Sequence, residues 1–171
     1  MVKIEKLTDW SLVKRCACDT VGKVAVEEPN DTWKCKILAA EHSPIRTLMF
    51  YVKITDVPYF AAMHLVRHKH GVEWFVSTSR QDRTGVKRSD RKQTDTVTLS
   101  FVANAQALIN ISHKRLCHNA DPATRKVWNE VCKALYEVDY NVAAFCVPEC
   151  IYKNDCREFN SCGLWTKLAK K

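Results

Sequence analysis

Glycine and proline are scarce, with four and five in 171 residues. So few chain breakers exclude long flexible linkers and low-complexity stretches, and no internal repeat is visible. Long apolar runs are missing too. None approaches the roughly 20 residues that a membrane helix needs, and the opening MVKIEKLTDW lacks the apolar core of a signal peptide. These absences lead us to expect a cytoplasmic chain with no membrane contact. Acidic residues are outnumbered, 19 against 27 basic, which leaves a net charge of +8. Such a surface attracts phosphorylated ligands and polyanions.

What is present fits one globular domain. Apolar residues make up 46% and charged residues 27%, and this length can bury a core. The positive excess gathers in Arg80 to Lys92 (RQDRTGVKRSDRK) and at Lys167, Lys170 and Lys171. The first stretch is either a solvated loop or one that faces a phosphate. It has no interleaved aromatics and no recognised nucleic-acid motif, so nucleic acid ranks last among its partners. Nine cysteines without a secretion signal read as reduced thiols. Five are scattered through apolar surroundings. Cys146, Cys150, Cys156 and Cys162 crowd the C-terminal end and could bind zinc, or could simply be free thiols of a compact tail.

Strands are expected at Val2 to Lys6, Thr47 to Thr55, Glu73 to Thr78 and Thr96 to Val102, where β-branched and aromatic residues cluster. Asp9, Asn104 and Asp121 are the expected helix caps, the last followed by Pro122 at a first helical position. Further helices are expected over Thr32 to Ala40 and Tyr59 to Lys69. Val127, Trp128, Val131, Leu135 and Val138 share one helix face. Strands and helices do not alternate regularly, so the pattern predicts an α+β domain over residues 1–145, followed by a cysteine-rich tail over 146–171.

The segment His64-Leu-Val-Arg67-His68-Lys69 gathers cationic and ionisable groups near a helix end. It suits a dense anion, although basic residues also pair well with a helix C-terminus. Together with AEHSPIR (Ala40 to Arg46) upstream and VANAQALINISHKRLCHNADPATRKVW (Val102 to Trp128) downstream, it resembles the flavin-dependent thymidylate synthases. Their signature reads R-H-R-x-x-S-x-N-E-x-S-x-R. LVKRCACDTVGK (Leu12 to Lys23) resembles the family's first helix and turn. This chain departs from the signature: Lys69 stands for the third residue, Val72, Trp74 and Phe75 for Ser, Asn and Glu, and Ser79 for the final Arg, with Arg80 next. Ser77 keeps the second Ser position. Gln106 replaces an Arg of the downstream segment, and Pro122 to Thr124 replace Trp-Glu-Ile.

The resemblance implies a mixed or antiparallel sheet flanked by helices, and a homotetramer with sites shared between subunits. It implies one-carbon transfer to C5 of dUMP, with FAD as cofactor and NADPH and methylenetetrahydrofolate as co-substrates. It also implies site residues. Arg125 would stand beside the pyrimidine as the catalytic group. His64, Arg67, Ser77, Arg80 and Arg115 would hold the nucleotide. His42, Arg46, His68, Lys69 and Asn104 would lie along the flavin. A nucleotide-binding relative with lost or altered catalysis is the alternative, because apolar Val72, Trp74 and Phe75 cannot replace polar contacts.

Overall fold

The computed structural model describes residues 1–169; Lys170 and Lys171, part of the basic tail noted above, lie outside them. Four strands, β1 (Val2–Lys6), β2 (Met49–Pro58), β3 (Val72–Val76) and β4 (Thr96–Asn104), form one antiparallel sheet in the order β1-β2-β4-β3. Alternation fixes which face is buried. Phe50, Val52 and Ile54 of β2 lie inward against Ala103, Phe101 and Leu99 of β4. On the other face Lys53, Glu73 and Phe75 reach solvent. The alternation slips once: the β2–β4 register shifts between Ile54 and Val57, where Asp56 adopts a positive φ of 60°. This is a bulge, and it leaves both Ile54 and Val57 in the core.

The helices are α1 (Trp10–Asp19), α2 (Asp31–Ala39), α3 (Tyr59–Leu65), α4 (Gln81–Thr84), α5 (Ala105–Arg115), α6 (Pro122–Val138), α7 (Tyr140–Phe145), α8 (Glu149–Tyr152) and α9 (Leu164–Leu168). The expected caps form. Asp9 accepts from the Leu12 N–H, Asn104 from that of Ala107 and Asp121 from that of Thr124, at 2.8–3.0 Å. On α6, Trp128, Val131 and Leu135 are buried. The Trp128 ring stacks on Phe101 with centroids 6.0 Å apart, and its Nε1 donates to Ser112 Oγ of α5 at 2.8 Å. Asp139, buried at the end of α6, accepts from Trp10 Nε1 at 2.8 Å and Lys6 Nζ at 3.1 Å, and caps α7. It thereby ties β1, α1 and the end of α6 together. The architecture is α+β, as the sequence predicts.

Three expectations change. The helix opened by Tyr59 stops at Leu65 rather than Lys69. The His68 N–H turns back to the Leu65 carbonyl at 3.1 Å, and the Trp74 indole takes the His68 carbonyl at 2.6 Å, so β3 captures the chain before another turn can form. The stretch from Arg80 to Thr94 is not plain loop: it holds α4 and a 3-10 turn at Arg88–Asp90. Cys146 belongs to the core rather than to the tail.

Candidate active site

Six of the expected residues fall in two neighbourhoods, one at each end of α3. At the C-terminal end, α3, α5 and α6 converge. Arg115, at the last turn of α5, donates from Nε to His68 Nε2 at 2.9 Å and from Nη2 to the His64 carbonyl at 2.7 Å. His64 Nδ1 lies 2.9 Å from the hydroxyl of buried Thr124, in the first turn of α6. Arg125 follows it and holds the His118 carbonyl through Nη1 at 2.9 Å. Arg67 is exposed; burial, and after it the Arg67 charge, lowers Arg115 from its ordinary pKa. Burial is also the main reason that His68 is pushed down to about 4, with the Arg115 charge adding to it. His68 is therefore neutral at pH 7. Five expected residues, His64, Arg67, His68, Arg115 and Arg125, thus share one locality.

At the N-terminal end lies a cleft of about 1020 Å³. Tyr59 opens α3 there, and the Tyr59 and Phe60 N–H groups bond the Asp95 and Gln93 carbonyls at 2.9 and 3.2 Å, which closes the basic segment over the cleft. Arg80, Arg88, Arg91 and Lys92 line it, with Asp82 and Asp95 as the acidic members. Arg80 is held by Asp82 through two bonds of 3.0 and 2.8 Å. Arg91 donates from Nη2 to Thr84 Oγ1 at 2.7 Å, while its Nε is buried without a partner. A buried donor with no acceptor is costly and, among four cations, suits a phosphate oxygen. The cleft accordingly fits a phosphorylated ligand of the size of a nucleotide or part of a flavin dinucleotide.

The other expected residues are dispersed. Ser77 extends the pairing of β3 with β4: its N–H donates to the Thr98 carbonyl and its Oγ accepts from the Thr98 N–H, at 2.8 and 3.0 Å. Asn104 is occupied in capping α5. His42 and Arg46 sit exposed at the 3-10 turn Ser43–Thr47, and Lys69 is exposed beyond α3. Neither Arg67 nor Arg125 lines the cleft. Val72 and Trp74, at the signature's Ser and Asn positions, face inward; the Trp74 ring lies 4.4 Å from that of Phe101. Phe75, at the Glu position, is exposed. In the sequence Arg88, Arg91 and Lys92 carry one signal only, the density of charge between Arg80 and Lys92, which fits a solvated loop as well as a phosphate-facing one. The tail thiols do not gather as a set with Cys146, which pairs with Cys132 of α6. Among the described residues no three His, Cys, Asp or Glu side chains, as they lie, surround a common point for a metal ion.

No protein-family model and no curated protein matches this sequence. Solved structures do. The flavin-dependent thymidylate synthase ThyX of Helicobacter pylori, complexed with FAD and dUMP, superposes with a TM-score of 0.69 over 85% of this chain and 99% of its own, at 12% identity. A second structure of that enzyme with FAD and dUMP gives 0.70. The UMP/dUMP methylase PolB of Streptomyces cacaoi, bound with 5-Br dUMP, gives 0.61 at 13% identity, over 85% of this chain and 94% of its own. The chain has the fold of these enzymes.

Proposed function

We propose, from the fold shared with flavin-dependent thymidylate synthases, that this chain transfers a one-carbon unit to C5 of dUMP or a related pyrimidine nucleotide. FAD is the cofactor in this reading, and NADPH and methylenetetrahydrofolate are the co-substrates. The observation that carries the reading is the cationic cleft with the unpartnered Arg91 Nε, on a fold whose solved examples hold dUMP. Arg80, Arg88, Arg91 and Lys92 bind the phosphate and fix the nucleotide's register, which is the larger part of catalysis where positioning does the work. Reduced flavin, when bound, supplies the hydride.

The catalytic arginine is Arg125. One of its terminal nitrogens holds the His118 carbonyl, and the rest of its fork is available to a pyrimidine carbonyl, where it stabilises charge developing on oxygen as C5 becomes nucleophilic. Arg67, Lys69, His42 and Arg46 are exposed donors for the flavin's anionic part, and neutral His68 offers an N–H. The α3 C-terminal cluster and the cleft stand at opposite ends of a seven-residue helix, roughly 10 Å long. A homotetramer in which the cleft of one protomer meets the α3 end of another brings both to one ligand.

The test is direct. Purified protein should take up FAD, seen as flavin absorption, and should release tritium from dUMP labelled at C5 when methylenetetrahydrofolate and NADPH are supplied. Arg91→Ala should weaken dUMP binding about tenfold, or about 1.4 kcal/mol, and leave uridine binding unchanged. A protein that neither takes up FAD nor binds any pyrimidine nucleotide would overturn the proposal. The inward-facing Val72 and Trp74 favour a second reading, a nucleotide-binding relative without transfer, and nucleotide binding with no tritium release would select it.

A further inference from the structure

We propose that Cys117, Cys150, Cys156 and Cys162 form a zinc site that staples the C-terminal segment to the loop after α5. Contacts made by their neighbours bring the four together. Lys114 Nζ reaches back to Glu149 Oε2 at 2.6 Å and to Glu158 Oε1 at 3.0 Å, and Asn119 Nδ2 donates to the Asn160 carbonyl at 2.6 Å. These bonds bracket Cys117, between residues 114 and 119, against Cys150, next to Glu149, and against Cys156 and Cys162 on either side of Glu158 and Asn160. From Lys153 to Cys162 every residue is exposed except Cys156, Glu158 and Cys162, and Phe159 is wholly in solvent. No apolar side chain anchors this stretch. Ordering each residue costs backbone entropy, which a few half-exposed ion pairs do not offset.

What the segment turns inward is sulfur. Cys150 is buried, and Cys117, Cys156 and Cys162 are half-buried. An all-cysteine set selects a soft, four-coordinate metal, and zinc in such a closed site is structural. Each thiol releases its proton to water as it ligates, and no electron moves. As they lie the four do not surround a common point, and closing to ligand distance takes movement of the side chains and of the loops that carry them. Cys117, Cys156 and Cys162 lie outside regular structure and Cys150 on a four-residue helix, so little resists it. Cys146 is excluded because it lies in the core with Cys132, whose Sγ is 3.7 Å from Ser112 Oγ. The staple would also set the loop whose His118 carbonyl holds Arg125.

Metal analysis of the full chain, purified without a histidine tag, should give one zinc per chain. Cys117→Ser should lose it, while Cys146→Ala and Cys35→Ser keep it. Cobalt substitution should show the ligand-field bands of a tetrahedral four-thiolate site, absent from Cys117→Ser. Should that variant not fold, alkylation mapping of the native chain replaces it: the four thiols should be protected until a chelator is added. Zinc-free protein, zinc retained by Cys117→Ser, or protection mapped to other cysteines would overturn the proposal. None of these readouts depends on nucleotide or flavin binding.

Discussion

His68 shows how one side chain can carry a family's histidine and still behave as a neutral group. Its Nε2 accepts from Arg115, so the ring proton sits on Nδ1, and a half-buried ring beside a fixed cation resists protonation. The folded ring takes up a proton only near pH 4, against a usual value of 6.5. Between those values the unfolded chain binds more protons, and stability falls as pH drops through that window. Discounted for solvent at this half-exposed site, the loss is about 1 kcal/mol, or about 3 °C in Tm for a chain of this length. His68→Gln keeps an acceptor for Arg115 and removes the titration, so its Tm should depend less on pH between 4 and 6.5 than that of the parent, as calorimetry would show.

Among the elements, the junction of β3 with α5 depends on one glycine. Gly71 has φ +70°, and a Cβ placed there would meet Asn104 Nδ2 at 2.6 Å. The backbone conformation and the close approach both require glycine, and Asn104 is at the same time the cap of α5. Gly71→Ala should cost about 2 kcal/mol and Asn104→Ala about 1 kcal/mol in urea unfolding; equal stability of Gly71→Ala and the parent would refute the packing account. At this scale the sequence was legible wherever structure is decided locally. Asp9, Asn104 and Asp121 each needed only an N–H three residues on, and Phe50, Val52 and Ile54 needed only a period of two. The end of α3 was not legible, because Trp74, six residues beyond His68, decides it by taking a carbonyl. The cleft was not legible either, since Tyr59 meets the segment 80–95 only after β2 and β4 have paired. Cys117 escaped the cysteine count for the same reason: 33 residues separate it from Cys150, and Lys114 and Asn119 bring it back. The signature's Arg67 and His68 were found in the sequence, but the distance between that end of α3 and the cleft could not be.

Across the whole molecule the positive excess is spread, but a share of it faces one opening. Of a net +8, four cations line a single cleft against two carboxylates. Attraction of that kind is screened by salt. Raising sodium chloride from about 50 to 500 mM should weaken dUMP binding about tenfold and hardly change that of uridine in calorimetric titrations; equal salt dependence of the two would show that the cleft does not grip the phosphate. Which way that cleft opens is set outside its charged lining, by the bulge at Asp56. Ile54 and Val57 lie three apart yet both point inward. Had the strand kept all its residues in regular alternation, Val57 would be rotated half a revolution about the strand axis, and Tyr59 would start its helix on the bare side of the sheet. One left-handed aspartate thus acts as the phase marker of the fold by absorbing the extra residue, and lengthening the chain there by one more, with no second bulge to take it up, would turn the pocket inside out without touching any group that lines it.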